Sequence, residues 1–256
     1  MKVVGLVSGG KDSCLNLLRC IEFGHEITCI ANLYPPLDGR EEIDSYMYQS
    51  VAQTGLQLYS EACDLPLYRH EIRGKPIEVG ALYKETVDDE VEDLYELLSH
   101  IKQKHPDVQA VSSGAILSNY QKNRVENVCQ RLDLKPLTYL WNADQIALFH
   151  EIISSGIEAV IVKVATLGLS TEHLGKTLIE VKDILLNLND RYGVHVCGEG
   201  GEYETFVLDC PLFKKRIVLD ETKIVAHSVN NVVQTAYLSL RKMHLENKYQ
   251  TNNLSE

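Results

Sequence analysis

The sequence predicts an α/β fold: an N-terminal doubly wound parallel five-stranded sheet over residues 1–142, then a second, smaller α/β domain over residues 143–256. Three observations carry that prediction. Five short apolar runs alternate with helical-period segments before residue 142, the pattern of parallel strands joined by crossover helices. The turn Ser8-Gly9-Gly10-Lys11-Asp12-Ser13 separates the first apolar run from the first helix, where a sheet of this kind receives its ligand. From Ala143 the alternation starts again.

The elements follow in order. Val3 to Val7 is a short buried strand, and the helix after the turn carries Leu15, Leu18 and Ile21 at helical spacing. Ile27 to Leu33 is a second strand, closed by Pro35-Pro36. Asp44 or Ser45 caps a helix running toward Leu58, and Leu65 to Ile72 is the third strand. Between Glu85 and His105, Val87, Val91, Leu94, Leu98 and Ile101 form one helical stripe, with seven acids as a solvated face or a docking surface for a basic partner.

Val108 to Ser113 and Pro136 to Trp141 are strands four and five, with a helix from Asn119 to Leu132 between them. Asn32 after strand two and Gly114 after strand four face the same crevice as the turn. The second half reads as a helix to Ser155, a strand Ala159 to Ala165, a helix to Leu188 and a strand Val194 to Cys197. A glycine-glutamate octad, Gly198-Glu-Gly-Gly-Glu-Tyr-Glu-Thr205, comes next, then short strands, a helix near Val229 to Leu245 and a frayed tail.

Composition narrows the classes. A net charge of -11 argues against a nucleic-acid groove. No apolar run reaches the ~20 residues of a membrane helix, and the start of the chain lacks the features of a signal peptide, so the expected address is cytoplasmic. Seven cysteines with no C-x-x-C pair read as reduced, buried thiols.

Two loops carry the chemistry. The glycines of the first, between a strand end and a helix start, aim backbone N–H groups at one point where the helix end favours an anion. Gly5 to Lys11 imitates a P-loop, but the next residue is Asp12, which offers no hydroxyl to magnesium. The octad is not a dinucleotide fingerprint, because its last glycine position is Tyr203. Its three glutamates, Glu199, Glu202 and Glu204, are either an acidic solvated turn or a carboxylate cluster eased by a cation.

The first loop resembles the pyrophosphate loop of the ATP pyrophosphatase superfamily, which has an adenine nucleotide alpha hydrolase-like sheet. Together with Asp44 to Gln49, Gly114 to Cys129, His173 to Lys176 and the octad, it is similar to one family there, the diphthine–ammonia ligases. That resemblance implies amidation of the diphthine carboxylate of elongation factor 2 with ammonium, through an acyl-adenylate, giving AMP and pyrophosphate. ATP and Mg2+ are then required, without nucleic acid or membrane.

It implies that Ser8, Gly9, Gly10 and Ser13 bind pyrophosphate, Lys11 neutralises charge growing on it, Asp12 holds magnesium, and Asn32 and Gly114 complete the ATP site. Glu199, Glu202 or Glu204 would take a proton from ammonium. Asp44, Arg124, Glu126 and Tyr203 would bind the substrate, with Tyr203 and Trp141 as aromatic faces for its trimethylammonium. Asn119 stands where the family usually has an acid and is expected to cap its helix. Another pyrophosphatase acting on a different acceptor, through tRNA thiolation or small-molecule amidation, and a non-catalytic nucleotide sensor remain as alternatives.

Overall fold

The computed structural model describes residues 1–36, 47–48, 52–228 and 234–248. Strands β1 (Lys2–Leu6), β2 (Glu26–Tyr34), β3 (Leu67–Glu71), β4 (Ala110–Ser112) and β5 (Lys135–Leu137) form one sheet in the order β3-β2-β1-β4-β5. Every pairing in it is parallel. The order reverses at β1, so the crevice opens between the loops after β1 and β4.

Helix α1 (Lys11–Glu22) follows the Ser/Gly turn and buries Cys14, Leu15, Leu17 and Cys20. The expected line through Leu18 and Ile21 is displaced toward the surface, and Ile21 is 43% exposed. The displacement arises because α1 packs on two sides, against the parallel sheet and against a strand from the second half of the chain. A one-turn helix, α2 (Tyr59–Cys63), precedes β3; the expected cap at Asp44 lies outside the described residues.

Helix α3 (Glu90–Lys104) starts five residues later than the stripe suggested, with Asp89 as its N-cap, and Val87 stays outside, 82% exposed. Asp89 accepts from the N–H groups of Val91, Ile77 and Glu78 at 3.0, 3.0 and 2.8 Å. Asp93 accepts from those of Arg73 and Gly74, both at 2.9 Å. Asp89, Glu90 and Asp93 are therefore buried, and Asp89 and Asp93 hold down the stretch from 73 to 78 instead of facing solvent. Helix α4 (Asn119–Arg131) is capped by Ser118, whose Oγ accepts from Gln121 N–H at 3.3 Å, and not by Asn119.

Helix α5 (Gln145–Ser154) leads to a second, antiparallel sheet of β6 (Glu158–Val164), β7 (Tyr203–Asp209), β8 (Lys215–Ser228) and β9 (Thr235–Asn247), in the order β7-β6-β9-β8. Helix α6 (Leu178–Tyr192) covers it through Leu178, Val181, Leu185 and Leu188. Two expectations change here. Where a helix is expected near residues 229–245, residues 235–245 belong to strand β9, paired along its length with β8, and 229–233 lie outside the described residues. Residues 194–197 are irregular chain leading into a turn, not a strand.

One apolar core runs unbroken from Val3, Leu15 and Leu17 under the parallel sheet to Ile161, Val207 and Leu238 of the antiparallel one. All seven cysteines are buried and free, as expected. No helix among the described residues is long and apolar enough to cross a membrane.

Candidate functional site

The first loop is shaped by residues nearly 200 positions away. Gly9 sits at φ +93°, and a side chain there would meet the Phe206 ring at 3.1 Å. Its carbonyl accepts from the Val207 N–H at 2.8 Å and from the Tyr59 hydroxyl at 2.9 Å. Gly10 N–H donates to Ser8 Oγ at 3.2 Å, and Lys11 N–H to Thr205 Oγ1 at 3.1 Å. Ser13 returns its hydroxyl proton to the Gly10 carbonyl at 2.9 Å, so its side chain braces the loop.

Lys11 is 2% exposed. Its Nζ donates to Asp12 Oδ2 at 2.8 Å and to the Cys197 carbonyl at 2.5 Å, and lies 5.1 Å from the centre of the Tyr203 ring. Burial pulls the Lys11 pKa down, but Asp12, Tyr203 and Cys197 outweigh it and hold the ammonium above the ordinary lysine value. Burial likewise pushes the Asp12 carboxyl up, against the opposing pull of Lys11 and with the help of Glu199. The second oxygen of Asp12, Oδ1, is buried with no hydrogen-bond partner among the described residues.

A cavity of about 490 Å³ opens over this loop. The structure brings Ser8, Gly10, Lys11, Asp12, Ser13, Asn32 and Gly114 to its wall, together with Glu199, Tyr203 and Glu204. At Gly114 a Cβ would fall 2.6 Å from the Ser13 nitrogen, so only glycine lets the loop after β4 lie this close to α1. Asn32 is held on both sides, donating to the Val7 carbonyl and accepting from Arg69 Nε, each at 3.0 Å.

The three glutamates of the octad do not converge. Glu199 Oε1 accepts from the N–H groups of Ile116, Leu117 and Ser118 at 3.2, 2.9 and 3.2 Å. Glu202 lies off the cavity wall and accepts the His195 N–H at 2.9 Å. Glu204 pairs with Lys163 across β6 and β7 at 3.1 Å. Among the described residues no group of three or more His, Cys, Asp or Glu is placed to hold a metal. The octad instead passes from a turn into a strand, because Tyr203 already opens β7.

The residues expected to bind the substrate are otherwise engaged or placed elsewhere. Tyr203 is 2% exposed, its ring faces Lys11 and its hydroxyl donates to the Val196 carbonyl at 2.6 Å, which leaves no open face for a substrate cation. Trp141 stacks under Lys122 at 5.1 Å, away from the cavity wall. Arg124 is fully buried on the other side of α4, donating to the carbonyls of Glu78, Gly80 and Tyr120. Glu126 forms an outward ion pair with Lys122 at 2.8 Å. Asp44 lies outside the described residues.

Thr205, Tyr59 and Phe206 shape the loop and were not singled out from the sequence. Thr205 closes the octad, and that was the available signal. Nothing local marked Tyr59 or Phe206.

Magnesium is commonly held by one or two carboxylates plus substrate phosphates, and Asp12 Oδ1, unpartnered and next to the helix end, is the one carboxylate oxygen at the loop that would fit such an ion.

Comparison with known proteins shows the family. The model of the diphthamide synthase N-terminal domain matches residues 1–136, and that of the C-terminal domain matches residues 144–240. The chain is 56% identical to the mouse diphthine–ammonia ligase, over 97% of this chain and 94% of that one. It is 54% identical to the human enzyme over the same shares, and 53% identical to the zebrafish enzyme over 99% of this chain and all of that one. A solved predicted subunit of a tRNA methyltransferase from Methanocaldococcus jannaschii shares 14% identity at a TM-score of 0.37, covering 82% of this chain and 98% of that one, a likeness that carries no argument. Matched in both of its halves and sharing more than half its residues with these relatives, the chain belongs to the diphthamide synthase family, ligases that close a carbon–nitrogen bond.

Proposed function

We propose that this ligase amidates the diphthine carboxylate of elongation factor 2 with ammonium, using ATP. The supporting observation is that the pyrophosphate-type loop, the Gly114 turn and the octad meet around one cavity. In this reading a diphthine carboxylate oxygen attacks the α phosphorus and the bond to the β phosphate breaks. Pyrophosphate leaves against the Ser8–Ser13 loop, whose backbone N–H groups receive its charge. Asp12 would hold magnesium, which supplies charge neutralisation on the departing phosphates.

Lys11 stabilises the loop and adds positive potential at short range, while its hydrogen bonds go to Asp12 and Cys197. Ammonium must lose a proton before its nitrogen attacks the acyl carbon and AMP departs. We assign that proton to Glu204, which lies on the cavity wall and is oriented by Lys163. Incubation with ATP, ammonium and diphthine-bearing elongation factor 2 tests the proposal. AMP should form only when both co-substrates are present, whereas pyrophosphate should need only the diphthine-bearing factor; release of ADP and phosphate overturns the proposal.

A further inference from the structure

Glu199 is an acid in a loop that the proposed reaction requires, yet its Oε1 is directed at backbone. Three consecutive N–H groups, those of Ile116, Leu117 and Ser118, converge on that single oxygen. Successive amides arranged in this way form a concavity for negative charge. They occupy the link between β4 and α4, and the same link carries Gly114, whose backbone presses on the Asp12–Ser13 peptide. Ser118 already gives its Oγ to the Gln121 N–H as the cap of α4. Its own N–H, and those of Ile116 and Leu117, donate to Glu199 Oε1, so removing that oxygen leaves this turn without its tie to the octad.

We infer that Glu199 is a positioning residue: by clamping the 116–118 turn to the octad it sets Gly114 against the pyrophosphate loop and fixes the width of the nucleotide site. The inference rests on the ligase reading for its kinetic consequence but not for the clamp itself. A proton acceptor and a clamp differ in what they demand of the side chain. The first requires a carboxylate, whereas the second requires an oxygen at that place, which an amide also supplies.

The test compares Glu199→Gln with Glu199→Ala in the full chain. Glu199→Gln should keep kcat within about threefold with KM for ATP raised a few fold, and Glu199→Ala should raise KM for ATP about tenfold or more. Hydrogen exchange at residues 116–118 should stay slow in Glu199→Gln and accelerate at least tenfold in Glu199→Ala, with thermal melts confirming that both fold.

A Glu199→Gln enzyme as inactive as Glu199→Ala but with protected amides overturns the inference, because the charge would then be used in chemistry. Unchanged protection in Glu199→Ala overturns it as well. If the wild type itself fails to make AMP, the ligase reading falls, while the exchange comparison still decides the clamp.

Discussion

Lys11 and Cys197 are 186 positions apart in the chain, and the ammonium of one donates to the carbonyl of the other at 2.5 Å. The contact joins the parallel-sheet half to the antiparallel-sheet half beneath the cavity, and it uses a cation that burial alone would discharge. Removing one member of a buried charge pair commonly costs about 3–5 kcal/mol, because its partner is left without compensation. Lys11→Met, which keeps most of the volume, should therefore lower unfolding free energy by about 3 kcal/mol. Denaturant titration checks this; a loss below about 1 kcal/mol would show that the contact does not hold the halves together.

Tyr203→Phe separates two roles of one ring. The aromatic face over Lys11 is kept, while the hydroxyl bond to the buried Val196 carbonyl is lost. Stability should fall by about 1–2 kcal/mol. KM for the protein substrate should stay within about twofold, since the ring has no free face for a ligand cation. A tenfold rise in that KM at unchanged stability would restore the substrate-binding role.

Arg124→Met addresses a cation whose guanidinium ties Glu78, Gly80 and Tyr120 carbonyls together and lies 3.3 Å from the Tyr120 ring centre. Stability should drop by about 3 kcal/mol, from unpaired buried carbonyls and lost packing. Amide exchange in residues 77–83 should accelerate, while ATP affinity measured by calorimetry remains within about threefold. A selective loss of ATP affinity would place Arg124 in the site after all.

Glu92 gives a pH-dependent contribution. Burial raises its pKa, but two bonds from Arg131 at 2.8 and 2.7 Å and one from Tyr83 at 2.8 Å outweigh it and hold the carboxyl below the usual range. The unfolded chain then binds the proton more tightly, so this stability is complete above about pH 5 and is lost as pH falls through the folded value. Glu92→Gln should be less stable than wild type by about 1 kcal/mol at pH 7. The gap should close toward pH 3, and a gap independent of pH would exclude the ion pair as its source.

The parallel sheet was legible because its signals are local: apolar runs, Gly-rich turns and helix caps. Even α3 carried its true start, since Asp89 followed by Glu92 is an N-cap with an acid three residues on. The antiparallel half was less legible. Ala236 to Leu240 is buried throughout, and a short apolar run broken only by Ser239 does not distinguish a buried strand from a helix. Residues 194–197 alternate like a strand, but their N–H groups go to Glu202 Oε1, Gln145 Oε1 and His195 Nδ1 in place of a neighbouring strand.

The candidate site divides in the same way. Gly114 and all of the Ser8–Ser13 loop but Gly9 line the cavity, because backbone geometry dictates their course. Arg124, Glu202 and Trp141 were misplaced because the direction of a long side chain is settled by what packs against it, which only the folded chain supplies.

The bonds that tie Gly9 and Lys11 to Val207 and Thr205 also order events during synthesis. The first dozen residues leave the ribosome long before the strand that moulds them, so a growing polypeptide carries an unfinished turn for most of its translation. That turn takes its final shape late, after residue 207 emerges, and an interrupted product never acquires it.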